Sequence, residues 1–168
     1  MSYWIHIFNQ QLIGDIDSEN IKAAITTSNF HTLCEQYQLD PGSIKPALEN
    51  LDIIKAPVEL PLMFLLRYRR EDGSPIPVYQ WAVDSQAGAE MLNATLERAK
   101  GAIKERLVTT SNIVAVELCK SQLQDMGLLL GYELARWAAE QGNGLIYGLD
   151  AEWYYLNRHQ AFIPIPEA

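Results

Sequence analysis

The pattern of apolar residues predicts an α+β fold: a mixed or antiparallel sheet of about 5–6 strands, two long helices packed mainly on one face, and short N-terminal helices. Three observations carry this expectation. Short β-branched and aromatic runs recur along the chain, two of them arranged as a hairpin. Two long segments, Ser85 to Leu107 and Ser121 to Gly142, have apolar residues at helical spacing. Glycine and proline clusters punctuate the boundaries between them. A chain of 168 residues with 48% hydrophobic content suits one domain, residues 1–168, with a single sizeable core.

Tyr3 to Phe8 has strand composition, with Trp4, His6 and Phe8 on one side and Tyr3, Ile5 and Ile7 on the other. Asp17 or Ser18 can cap a short helix bearing Ile21 and Ile25, which Thr26 to Asn29 interrupts. Phe30, Leu33, Cys34 and Tyr37 follow at i, i+3, i+4 and i+7, the mark of a second short helix. Asp40-Pro41 starts a third short turn ending near Leu51. Asp52 to Pro61 reads as a connection, because Pro57 and Pro61 disfavour a regular element.

Leu62 to Arg69 and Ile76 to Val83 form the hairpin, turned by Arg70 to Pro75 with Gly73 available for positive φ. Val78, Gln80 and Ala82 share one face of the second strand; Tyr79, Trp81 and Val83 share the other. Asp84 or Ser85 caps a long helix to about Leu107 with Met91, Leu92, Leu96, Ala99, Ile103 and Leu107 on its apolar side. Ile113 to Leu118 is a strand. Ser121 with Gln124 has the spacing of a capping box for the next helix. In that helix Gly127, Gly131 and Ala135 recur every four residues, which predicts close approach to a sheet or a partner helix. Gln141 to Gly144 stops it. Leu145 to Tyr147 and Glu152 to Leu156 form a short strand pair, and the tail from Phe162 to Pro166 is apolar enough to dock at a sheet edge.

Charge and motifs narrow the function. The formal charge of -8, from 21 acidic against 13 basic side chains, repels phosphate backbones and argues against nucleic-acid partners. The longest apolar run, Leu60 to Leu66, is too short for a membrane span. The N-terminus lacks the pattern of a signal peptide, so a cytoplasmic location is expected. The 2 cysteines, Cys34 and Cys119, are expected as reduced thiols, and the 3 histidines, His6, His31 and His159, occupy separate elements. No metal-ligand spacing, phosphate loop or serine elbow occurs, and neither metal nor cofactor is expected.

What remains is aromatic. Trp153, Tyr154 and Tyr155 are consecutive, so a strand must turn at least one ring away from the others. Tyr147 lies across the same strand pair, and Tyr79 and Trp81 lie on another strand. With helices on one face, Trp153, Tyr155, Tyr147, Tyr79 and Trp81 would form a contact surface on the other. Arg67 would add charge-assisted bonds there, and Asp150 and Glu152 an acidic rim. The expectation is a non-catalytic protein-binding module, inhibitor-like or immunity-like, for a basic protein partner or for self-association. The alternative is a small hydrolase or ligand-binding enzyme working through Glu117, Asp150 or Cys119, the last placed where a helix start lowers a thiol pKa.

Overall fold

The structure, a computed structural model, describes residues 1–56, 61–69 and 73–166. Pro57 and the first half of the turn expected at Arg70 to Pro75 lie outside them. The strands are β1 (Ser2–Asn9), β2 (Asp52–Lys55), β3 (Leu62–Arg67), β4 (Ile76–Ala82), β5 (Asn112–Cys119), β6 (Leu145–Tyr147), β7 (Trp153–Leu156) and β8 (Phe162–Ile165). The helices are α1 (Ser18–Thr26), α2 (Phe30–Tyr37), α3 (Ile44–Glu49), α4 (Gln86–Arg98), α5 (Gly101–Leu107) and α6 (Met126–Gly142).

The strands form one 8-stranded sheet in the order β2-β3-β4-β5-β1-β6-β7-β8. Every neighbouring pair is antiparallel. The architecture is therefore α+β, but the expectation of 5–6 strands and two long helices is wrong. Two edge strands account for most of the difference. Asp52–Lys55 pairs with β3 instead of forming a connection. Its strand stops at Lys55, ahead of the prolines that had argued against it. The tail strand β8 pairs with β7 along four residues.

The first expected long helix, Ser85 to Leu107, is two helices. Ala99 and Lys100 are extended, and Gly101 sits at φ 58. A left-handed glycine breaks the helix at little steric cost. The break lets Ala99, Ile103 and Leu107 close on Phe8, Ile113, Leu145 and Trp153 in a second, smaller core. Helices consequently pack on both faces of the sheet. α1, α2, α3 and α6 cover the first face around Ile5, Ile7, Val114, Val116 and Leu118; α4 and α5 cover part of the second.

Helix α6 starts later than its sequence suggests. Lys120–Gln124 is a 3-10 turn in which the Cys119 N–H donates to the Gln122 side chain at 2.8 Å. Asp125, extended, caps α6 by accepting from the Gly127 N–H at 2.7 Å. Tyr68 donates to the same carboxylate at 2.8 Å, and Arg69 pairs with it. Tertiary partners thus select Asp125 over Ser121 as the cap. Asn143, at φ 53, ends the helix in a left-handed cap.

The glycine spacing has the expected consequence. A Cβ on Gly131 would stand 2.9 Å from a Leu118 methyl, so α6 rests directly on β5. Replacing Gly131 with Leu is expected to cost about 1–3 kcal/mol through overpacking, measured as a lowered urea midpoint with unchanged slope.

Candidate functional site

Register determines which side chains share a face, since directly paired residues in adjacent strands point the same way. Tyr79 and His6 both oppose Ala115, while Trp81 and Phe8 both oppose Ile113. His6 opposes Tyr147, Tyr147 opposes Trp153, and Tyr155 opposes Ile163. The second face therefore carries Arg67, Tyr79, Trp81, Trp4, His6, Phe8, Tyr147, Trp153 and Tyr155. Every ring named from the sequence lies on this one side, and so does Arg67.

The rings form a row across the sheet. β5 lies between β4 and β1, and its small Ala115 leaves space above it for rings from either side. Tyr79 stacks on Trp81 with centroids 5.5 Å apart, and Trp4 meets Tyr79 at 5.7 Å. Trp4 stacks on His6 at 6.1 Å, and His6 meets Phe8 at 6.4 Å. Phe8 meets Trp153 at 5.4 Å, and Trp153 meets Tyr147 at 4.8 Å.

Helices cover only one end of this row. Trp153 is 4% exposed, sealed with Phe8 into the second core. Tyr155 is 44% exposed and opens on a hollow beside Arg106 and Ile165. Trp4, Tyr79 and Trp81 are half-buried at the other end. Between the two ends a cleft of about 300 Å³ runs under α4, walled by His6, Phe8, Tyr147 and Trp153 and rimmed by Met91 and Arg98.

Glu117 is the acid inside the open half. Its carboxylate accepts from Ser2 Oγ at 2.6 Å and from the Tyr79 hydroxyl at 3.0 Å. Burial first, and then the bond to Glu117, push the Tyr79 hydroxyl up, so it stays protonated and donating. Both bonds hold the carboxylate upright among the rings. Trp4 and Glu117 had not been named for the surface from sequence. Alternation along Trp4, His6 and Phe8 was the signal that could have placed Trp4 there.

The other expected residues are dispersed. Arg67 is engaged with Asp52 at 3.0 Å near the sheet edge. Asp150 accepts from the Glu152 N–H at 3.1 Å and from the Tyr154 hydroxyl, and Tyr154 belongs to the first face. Glu152 is exposed in the turn. Glu117 and Asp150 thus lie on opposite sides of the sheet and are not brought together as an acid–base pair. Cys34 and Cys119 are free thiols. Cys34 is buried, which pushes its thiol up, with Asp40 adding to the effect. The Cys119 thiol is lowered by its hydrogen bond with the Ser121 hydroxyl, 3.2 Å away. Among the described residues no cluster of His, Cys, Asp and Glu could hold a metal ion. Nor is any helix among them long and apolar enough to cross a membrane.

Burial holds His6 below its ordinary 6.5. The unfolded chain therefore takes up this proton first as pH falls. Neutral His6 contributes its stability in full above 6.5, and that contribution is lost as pH falls through the lowered folded value. The stability advantage of wild type over His6→Gln should shrink as pH falls through 6.5 toward the lowered folded value, as followed by urea midpoints.

No family model, curated protein or solved structure matches the chain.

Proposed function

We propose that the chain is a non-catalytic protein-binding module whose contact surface is the open half of the second sheet face. One observation carries this reading: part-exposed Trp4 and Tyr79 flank Glu117, Trp81 extends the row by stacking on Tyr79, and Trp4 stacks on His6 at the wall of the cleft under α4. Aromatic side chains bury large area at small entropic cost, and such rings dominate binding energy where they occur at interfaces. Glu117 supplies the polar element. Its fixed carboxylate, ringed by aromatic groups and partly shielded from water, suits a lysine or arginine of the partner. The cleft beside it suits one bulky apolar side chain of the same partner segment.

The net charge of -8 favours a basic partner and slows encounter of two copies of this chain. A hydrolytic reading that pairs Glu117 with Asp150 gains no support, because these carboxylates lie on opposite sides of the sheet. Tyr155, Tyr147 and Trp153 then have unequal parts in the surface. Tyr147 walls the cleft, Trp153 forms its floor from within the core, and Tyr155 flanks the covered end.

A random-peptide display selection against the wild-type protein tests the proposal. Enriched peptides should pair a basic residue with a large apolar one. Their affinity should fall about tenfold or more on Trp81→Ala or Glu117→Gln, and should weaken with added salt. Peptides that bind both variants as tightly as wild type, or a selection that enriches none, would rule the surface out.

A further inference from the structure

A second hollow, of about 310 Å³, lies on the first face of the sheet between α2, α6 and the last strands. It is built differently from the aromatic row. Glu133 sits within the apolar stripe of α6 and is 3% exposed, yet it keeps a charged partner, Arg136 Nη2, at 2.8 Å. A buried pair of this kind adds little stability beyond what apolar residues of equal volume would supply. Its presence in a cavity wall calls for another account.

Four rings line the walls, Tyr37 from α2 and a packed group of three, Tyr132, Tyr154 and Phe162. Tyr132 and Tyr154 each stand perpendicular to Phe162, with centroids 5.9 and 6.0 Å away and interplanar angles of 86°. The Arg136 guanidinium carbon lies 5.6 Å from the Phe162 centroid. The box of rings therefore already accepts one cation, and that cation is neutralised by Glu133.

Asp150, at the mouth, has no such counterpart. It accepts hydrogen bonds from the Tyr154 hydroxyl and the Glu152 N–H, and it forms no ion pair among the described residues. Tyr132, whose hydroxyl accepts from the Leu149 N–H at 3.0 Å, is pushed up to about 12 by burial, with the nearby Asp150 charge adding to the shift. With two carboxylates and one guanidinium the lining of the hollow is net negative, its excess charge on Asp150 at the exposed rim. Aromatic walls with a carboxylate at the rim are the surroundings that favour an ammonium group over a neutral one.

We propose that this hollow is a binding site for a small organic ammonium ion, its charge beside Asp150 and its apolar body among Tyr132, Tyr154 and Phe162. The site lies on the face opposite the protein-binding surface, so the two proposals stand or fall separately.

Choline and its uncharged isostere 3,3-dimethylbutanol are titrated into the full-length protein, with ring-proton shifts followed by NMR. Choline should give saturable shifts of Tyr154 and Phe162, and the isostere should bind about tenfold more weakly. Asp150→Asn retains an oxygen for the Glu152 N–H, so the turn is preserved, and it should weaken choline by a similar factor. No saturable shift with choline, equal binding of the isostere, or undiminished binding by Asp150→Asn would each overturn the proposal. The comparison of the two probes on wild type decides the matter without any variant.

Discussion

Helix α6 lies so close to the centre of the sheet that it has no room for a side chain at Gly131 or Gly142. Gly131 faces the Leu118 methyls, and a Cβ on Gly142 would stand 2.2 Å from the Asn9 side chain. Asn9 itself is fully buried and donates to the Ala138 carbonyl at 3.2 Å, tying the end of β1 to the end of the helix. Glycine inside a helix carries a cost, which close packing offsets. With α6 seated this way, β1 and β5 become the central strands, and the short N-terminal helices fill the space that remains on the first face. The chain then has only α4 and α5 to spend on the other side.

That allocation explains the aromatic row. The second face of a wide sheet exceeds what two short helices can cover, and the broken α4–α5 pair closes only over Phe8, Ile113, Leu145 and Trp153. Rings elsewhere on this face must shield one another. They do so by stacking along and across strands, with Ala115 leaving clearance at the middle. Such mutual shielding leaves edges exposed, and it places Glu117 where two hydroxyls can hold its carboxylate. The same feature that completes the fold therefore leaves a surface suited to contact.

The two faces also differ in how they handle charge. On the second, Glu117 remains near solvent and relies on neutral donors. On the first, Glu133 is driven into the core by its place in the α6 stripe, where burial raises its carboxyl, opposed by Ser28 and Arg136. Arg136 bridges outward to Phe162, so the strand at the sheet edge is tied to the helix by a charge as well as by apolar packing.

Much of the local structure was legible because it rests on near neighbours. Strand alternation assigned Trp4, Tyr79, Trp81, Tyr147, Trp153 and Tyr155 to consistent sides, and the glycine spacing of α6 announced its close approach. The Gly101 break was also written in the chain, but an unbroken apolar stripe outweighed one glycine. Three features were decided only by tertiary structure. Asp125 displaced Ser121 as helix cap because Tyr68 and Arg69, just past the end of β3, converge on it. Asp52–Lys55 became a strand because β3 offered an unpaired edge. Trp153 became core while Trp81 stayed part-open because α5, freed by its break, reaches one end of the sheet and not the other. Periodicity reports which side of its own element a residue occupies; what stands opposite that side depends on contacts between residues far apart in the chain.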